Sequence, residues 1–159
     1  MKRSSTLFLK VVILLIAVVA LAGMIWEPQT EGRNVNADQV SIYFRDPFLA
    51  YAYAASIPFF VALYQAFKLL GYIEQNKVFS QISVRALRNI KYCAIILSGL
   101  IGLGILFLRL FTTSDDPAGF TALSIFTIFV SIIIATAAAV FQKLLQNAID
   151  IKSENDLTV

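Results

Sequence analysis

Four long apolar runs constrain this chain more than any other feature, at residues 7–26, 48–72, 92–111 and 120–142. A helix needs about 20 residues to cross a hydrocarbon core about 30 Å thick, and every run is close to that length. They take up more than half of 159 residues, of which 58% are hydrophobic and 14% charged, against roughly 25% charged in soluble domains. The fold class expected is an all-α membrane protein, a four-helix transmembrane bundle in one integral membrane domain spanning residues 1–159. The connecting segments are too short to build a separate soluble core.

Composition also removes several chemistries. The sequence has no histidine, which excludes His-based zinc sites, Ser-His-Asp triads and histidine proton relays. Cys93 is the lone cysteine, so no internal disulfide can form, and it reads as a small packing residue at the end of a span. Near the span centres the polar groups are hydroxyls such as Ser98, Thr127 and Ser131, with no carboxylate. An ion-coupled transporter usually needs a titrating or ion-coordinating group at the midplane, so transport is the weaker reading. Ser56 and Lys68 lie about three helical turns apart on one run and cannot form a dyad, and no glycine loop suited to phosphate is present. The expectation is a non-enzymatic protein with no cofactor, no metal and no direct nucleic-acid contact.

Basic residues set the orientation by the positive-inside rule. With the first terminus inside, Lys2, Arg3, Lys10, Lys68, Lys77, Arg85, Arg88, Lys91, Lys143 and Lys152 face the cytoplasm, leaving Arg33, Arg45 and Arg109 outside. Both termini are then cytoplasmic. Met1-Lys2-Arg3, the first run and Ala20-Leu21-Ala22 have the look of a secretory signal, but the run is long for one, and an uncleaved anchor is the preferred reading. Outside, Gly32-Arg33-Asn34 favours a turn, residues 40–44 suit a short extended or interfacial segment, and residues 112–119 suit a tight turn.

Two inner segments carry more information. Between spans two and three, Phe79, Ile82, Ala86 and Ile90 follow helical spacing while Arg85, Arg88 and Lys91 supply charge. This spacing predicts a short amphipathic cytoplasmic helix, capped by Ser80, that rests on anionic lipid or docks a partner. After span four, residues 143–151 extend the helix into the cytoplasm, with Leu144, Ala148 and Ile151 on one stripe, before a polar tail ending in Val159.

Inside the membrane, close packing must replace the hydrophobic effect. Ala94, Ser98 and Gly102 are spaced by four, as are Ser131, Ala135 and Ala139, which predicts a tight contact between spans three and four; the alternative use of one face is a homo-oligomer. Pro58 removes a backbone donor inside span two and predicts a kink, with Ser56, Tyr53 or water satisfying the freed carbonyl.

The stretch from Asn76 to Ile90 (NKVFSQISVRALRNI) and the ending from Ser153 to Val159 (SENDLTV), with four spans and this length, resemble the bacterial membrane family catalogued as domain of unknown function 2975. The resemblance covers essentially the whole chain. It implies an inner-membrane protein without an established activity and, through the family's gene neighbourhood, a small helix-turn-helix regulator of the Cro/C1 type as cytoplasmic partner. The candidate partner surface on this chain is Phe79, Ser80, Arg85, Leu87 and Arg88 together with Glu154, Asn155, Asp156 and Leu157, with Arg85 or Arg88 expected beside Glu154 or Asp156. The alternatives are a small transporter, channel or efflux component, and an accessory subunit of a membrane complex.

Overall fold

A computed structural model describes residues 3–30, 38, 40–41, 47–111 and 118–157. Four helices carry it: α1 (Arg3–Thr30), α2 (Pro47–Glu74), α3 (Gln81–Phe111) and α4 (Ala118–Asp156). All four are long and apolar enough to cross a membrane. The turn expected at residues 32–34 lies outside the described residues, as do residues 112–117 of the turn expected at 112–119, whose last two residues, Ala118 and Gly119, instead open α4. Val40 and Ser41, expected in an extended or interfacial segment, are helical, and the rest of that segment lies outside the described residues.

The helices outrun the apolar runs. With 31 and 39 residues, α3 and α4 extend about 46 and 58 Å at ~1.5 Å per residue, beyond the ~40–45 Å of a bilayer with its headgroups. The separate amphipathic helix expected between spans two and three is therefore corrected: residues 81–91 are the first turns of α3 itself. Turning from an interfacial helix into a span requires a breaker, and neither glycine nor proline occurs between Ser80 and Gly99. The same reasoning carries α4 unbroken from its span to Asp156.

Packing follows chain order. α1 packs on α2, α2 on α3 and α3 on α4, most extensively in the last pair, while helices not adjacent in sequence barely meet. The four helices thus form an open antiparallel row, with α1 and α4 as its edges. Ala94, Ser131, Ala135 and Ala138 are buried, while Ser98 and Ala139, on the small-residue stripes expected to form the contact between spans three and four, are half-buried. Gly102 does not take part in that contact: a Cβ placed there would meet no atom within 4 Å. Ser98 spends its hydroxyl on the Ala94 carbonyl of its own helix, at 2.9 Å.

The close approach lies one half-turn further on, at Gly104. A Cβ there would come within 3.0 Å of the Tyr51 ring, and the Tyr51 hydroxyl donates to the Leu100 carbonyl at 2.5 Å. Two residues along α2, the Tyr53 hydroxyl donates to the Met24 carbonyl of α1 at 2.8 Å. Residues two apart on a helix point to opposite sides, so this pair of tyrosines fastens α2 to both of its neighbours. α2 itself runs through Pro58 without interruption. The Ser56 hydroxyl donates to the Tyr53 carbonyl at 2.7 Å, which adjoins the Ala54 carbonyl whose partner the proline removes.

Candidate functional site

The basic end is organised by the connection between α2 and α3. Asn76 adopts a positive φ of 56°, and around it the Lys77 amide donates to the Tyr72 carbonyl at 2.8 Å and the Asn76 amide to Ile73 at 3.2 Å. This pair of bonds around a left-handed residue is a Schellman stop, and asparagine is second only to glycine in tolerating it. Four residues later Ser80 opens α3, its carbonyl accepting from the Ser83 and Val84 amides at 3.1 and 3.3 Å. Ser80 takes the N-cap position, as its place before the amphipathic run led one to expect. Its hydroxyl, however, donates to the Lys77 carbonyl at 2.5 Å, where the fully buried Ser83 hydroxyl also donates at 3.0 Å. Two serines thus pin the peptide that leaves α2.

This short connection presents Phe79 outward, 64% exposed. Behind it lies an apolar groove of about 310 Å³, walled by Leu69 and Ile73 of α2, Leu87 of α3, and Phe141, Leu144 and Leu145 of α4, with Val78 and Phe79 at its rim. The groove exists because the row is open: α2 and α4 flank α3 without closing over it. Arg85 and Arg88 are exposed on α3, and Glu154, Asn155, Asp156 and Leu157 are exposed at the end of α4.

Register decides which of these residues are neighbours. The Lys91 ammonium donates to Gln142 at 3.1 Å, and carrying that antiparallel register back along both helices brings Phe79, not Arg85 or Arg88, level with Glu154. In that register Arg85 and Arg88 lie level with Ala148 and Leu145. Within α4, Gln146 donates to Asp150 at 2.8 Å. A second carboxylate at this end, Glu74, is held by Lys10 of α1 at 2.6 Å, with the ammonium 5.4 Å from the Phe67 ring centroid. Sequence reasoning placed Lys10 at the surface and passed over Glu74; the signal available was the lone acid of α2, at the end of the helix that lies on the same side as the basic residues opening α1. Lys68 lies 4.7 Å from the Tyr64 ring centroid.

Long apolar helices in an open row, overhanging at one positively charged end, define a multi-pass α-helical membrane protein. The chain belongs to the family described as "Protein of unknown function (DUF2975)", whose model matches residues 30–159. It is similar to the "Uncharacterized membrane protein YoaS" of Bacillus subtilis (strain 168), 47% identical over 160 residues that cover 100% of both chains. No solved structure matches it. Both stretches that carried the resemblance fall within the matched residues, and the first of them is the capped connection just described.

Proposed function

We propose that this is a non-enzymatic protein of the bacterial cytoplasmic membrane, with both termini inside, that docks a soluble protein partner at its basic end. The observation that carries the reading is the apolar groove beside the exposed Phe79, at the end of the molecule where Arg85 and Arg88 are also exposed. An apolar slot at a cationic end of the molecule suits an amphipathic helix with an acidic flank, the helix-in-groove mode of recognition. Glu154 to Leu157 border the same end and extend the surface. A small helix-turn-helix regulator, implied by the family resemblance, is the first partner to test.

The test places a photo-crosslinking residue at Phe79 or Arg88, and as a control at Leu123 near the other end of α4, in native membranes. A discrete soluble protein joined to the first two positions and not to the third, and lost from position 79 when Arg85→Glu and Arg88→Glu are introduced together, supports the proposal. Crosslinks confined to lipid would end it. A second reading, an accessory subunit of a membrane complex, is favoured by the exposed apolar side chains of α1, among them Leu14, Leu15, Val18 and Val19, and crosslinks to an integral membrane protein from Val18 would select it.

A further inference from the structure

A second groove, of about 380 Å³, runs between α3 and α4 on a face that the docking surface does not use, walled by Ile95 and Ser98 on one side and Ile132, Ala135 and Ala139 on the other, with Lys91 at its basic end. Its hydroxyls are already committed: Ser98 donates to Ala94 and Thr136 to Ile132, both at 2.9 Å within their own helices. The walls are apolar in effect. From Lys91 to Ser98 the groove rises about 10 Å, two-thirds of the ~15 Å depth of one leaflet's hydrocarbon.

Lys91 is the one asymmetric element. It is half-buried, donates to the neutral Gln142 amide and lies 4.8 Å from the Tyr92 ring centroid. Among the described residues no carboxylate stands within ion-pair distance of it. Lys10, at the same end, shows the contrast, since its charge is met by Glu74 within the protein. The occupant that fits must be apolar along the groove and negative at the Lys91 end. In a second copy of this chain Glu74 is already paired with Lys10, and Asp150, Glu154 and Asp156 lie along α4 beyond Gln142, the residue level with Lys91.

We propose that the α3–α4 groove holds one acyl chain of an anionic phospholipid, whose phosphate is bound by Lys91. Lysines near the membrane surface favour anionic lipid by about 1 kcal/mol each, which corresponds to a roughly five-fold preference. Intact full-length protein, released from micelles carrying equal phosphatidylglycerol and phosphatidylcholine with the same acyl chains, is weighed by mass spectrometry. It is expected to retain phosphatidylglycerol roughly five-fold over phosphatidylcholine. Lys91→Gln should abolish the preference, Lys91→Arg should keep it, and Lys68→Gln, at a lysine that does not line the groove, should leave it unchanged. Ala139→Leu fills the groove and should lower retention of both lipids. Preference that survives Lys91→Gln, or that falls equally with Lys68→Gln, overturns the proposal. So does a disulfide-linked dimer of a Cys93→Ser, Thr136→Cys protein in phosphatidylglycerol vesicles, which would show a second copy seated in the groove.

Discussion

Gly104 and Gly102 sit on one helix two positions apart, yet they answer opposite structural demands. At Gly102 a methyl group enters open space, so Gly102→Ala gains helix propensity at no packing cost. At Gly104 the same methyl presses on the Tyr51 ring at 3.0 Å, and the ring cannot slide away without giving up its bond to the Leu100 carbonyl. Hydrogen bonds between membrane helices average roughly 0.6 kcal/mol and reach about 1.7. Gly104→Ala is therefore expected to be less stable than Gly102→Ala by about 1–2 kcal/mol, as read by thermal unfolding in detergent. In a Tyr51→Phe background the hydroxyl no longer fixes the ring, and the gap between the two alanine variants should narrow. An unchanged gap would mean that the Tyr51 contact does not position the helices. Glycine in a span marks a place where a neighbour can approach, but only the register of α2 against α3 tells which glycine is used. The spacing of Ala94, Ser98 and Gly102 identified a face of the helix and stopped short of that register.

At the scale of an element, α2 ends where it does because Asn76 turns left-handed and two serines hold the peptide behind it. A left-handed residue with a Cβ costs about 1–2 kcal/mol, which asparagine largely avoids and alanine does not. Asn76→Ala is expected to destabilise by about 1 kcal/mol, and Asn76→Gly to match or exceed the native chain in the same unfolding assay. Equal behaviour of the two would show that the connection does not depend on that backbone conformation. The spans themselves were legible in the sequence, because a long apolar run has few other uses. Their helical extents were not: an apolar run ends at the edge of the hydrocarbon, whereas a helix ends at its caps, and α3 and α4 meet no cap until well into water. Arg85 and Arg88 could be read as exposed from helical spacing alone, whereas the same spacing put Phe79 on the apolar face with Ile82, Ala86 and Ile90, and its exposure comes from its place in the connection before α3. The groove beside them could not, because Leu69, Leu87 and Phe141 lie on three different helices and meet only through tertiary register.

For the whole molecule, the concentration of lysine and arginine at one end is the ground, by the positive-inside rule, for the orientation proposed above, with both termini inside. In a Cys93→Ser background, single cysteines at Gln75 and Ser153 should resist an impermeant thiol reagent in intact cells, and a cysteine at Asp38 should react. Reaction at Gln75 from outside would reverse the topology. The open row has a further consequence, for the order in which the protein is made. Each helix packs on the one synthesised just before it, so no contact of substance waits for a distant part of the chain. When α2 emerges, Tyr53 and Glu74 already have Met24 and Lys10 to meet; when α3 emerges, the Tyr51 ring is waiting for Gly104. A closed bundle would keep its first helix exposed until the last arrived. This chain can instead assemble hairpin by hairpin as it leaves the ribosome, each step stabilised by contacts local in sequence and quick to form.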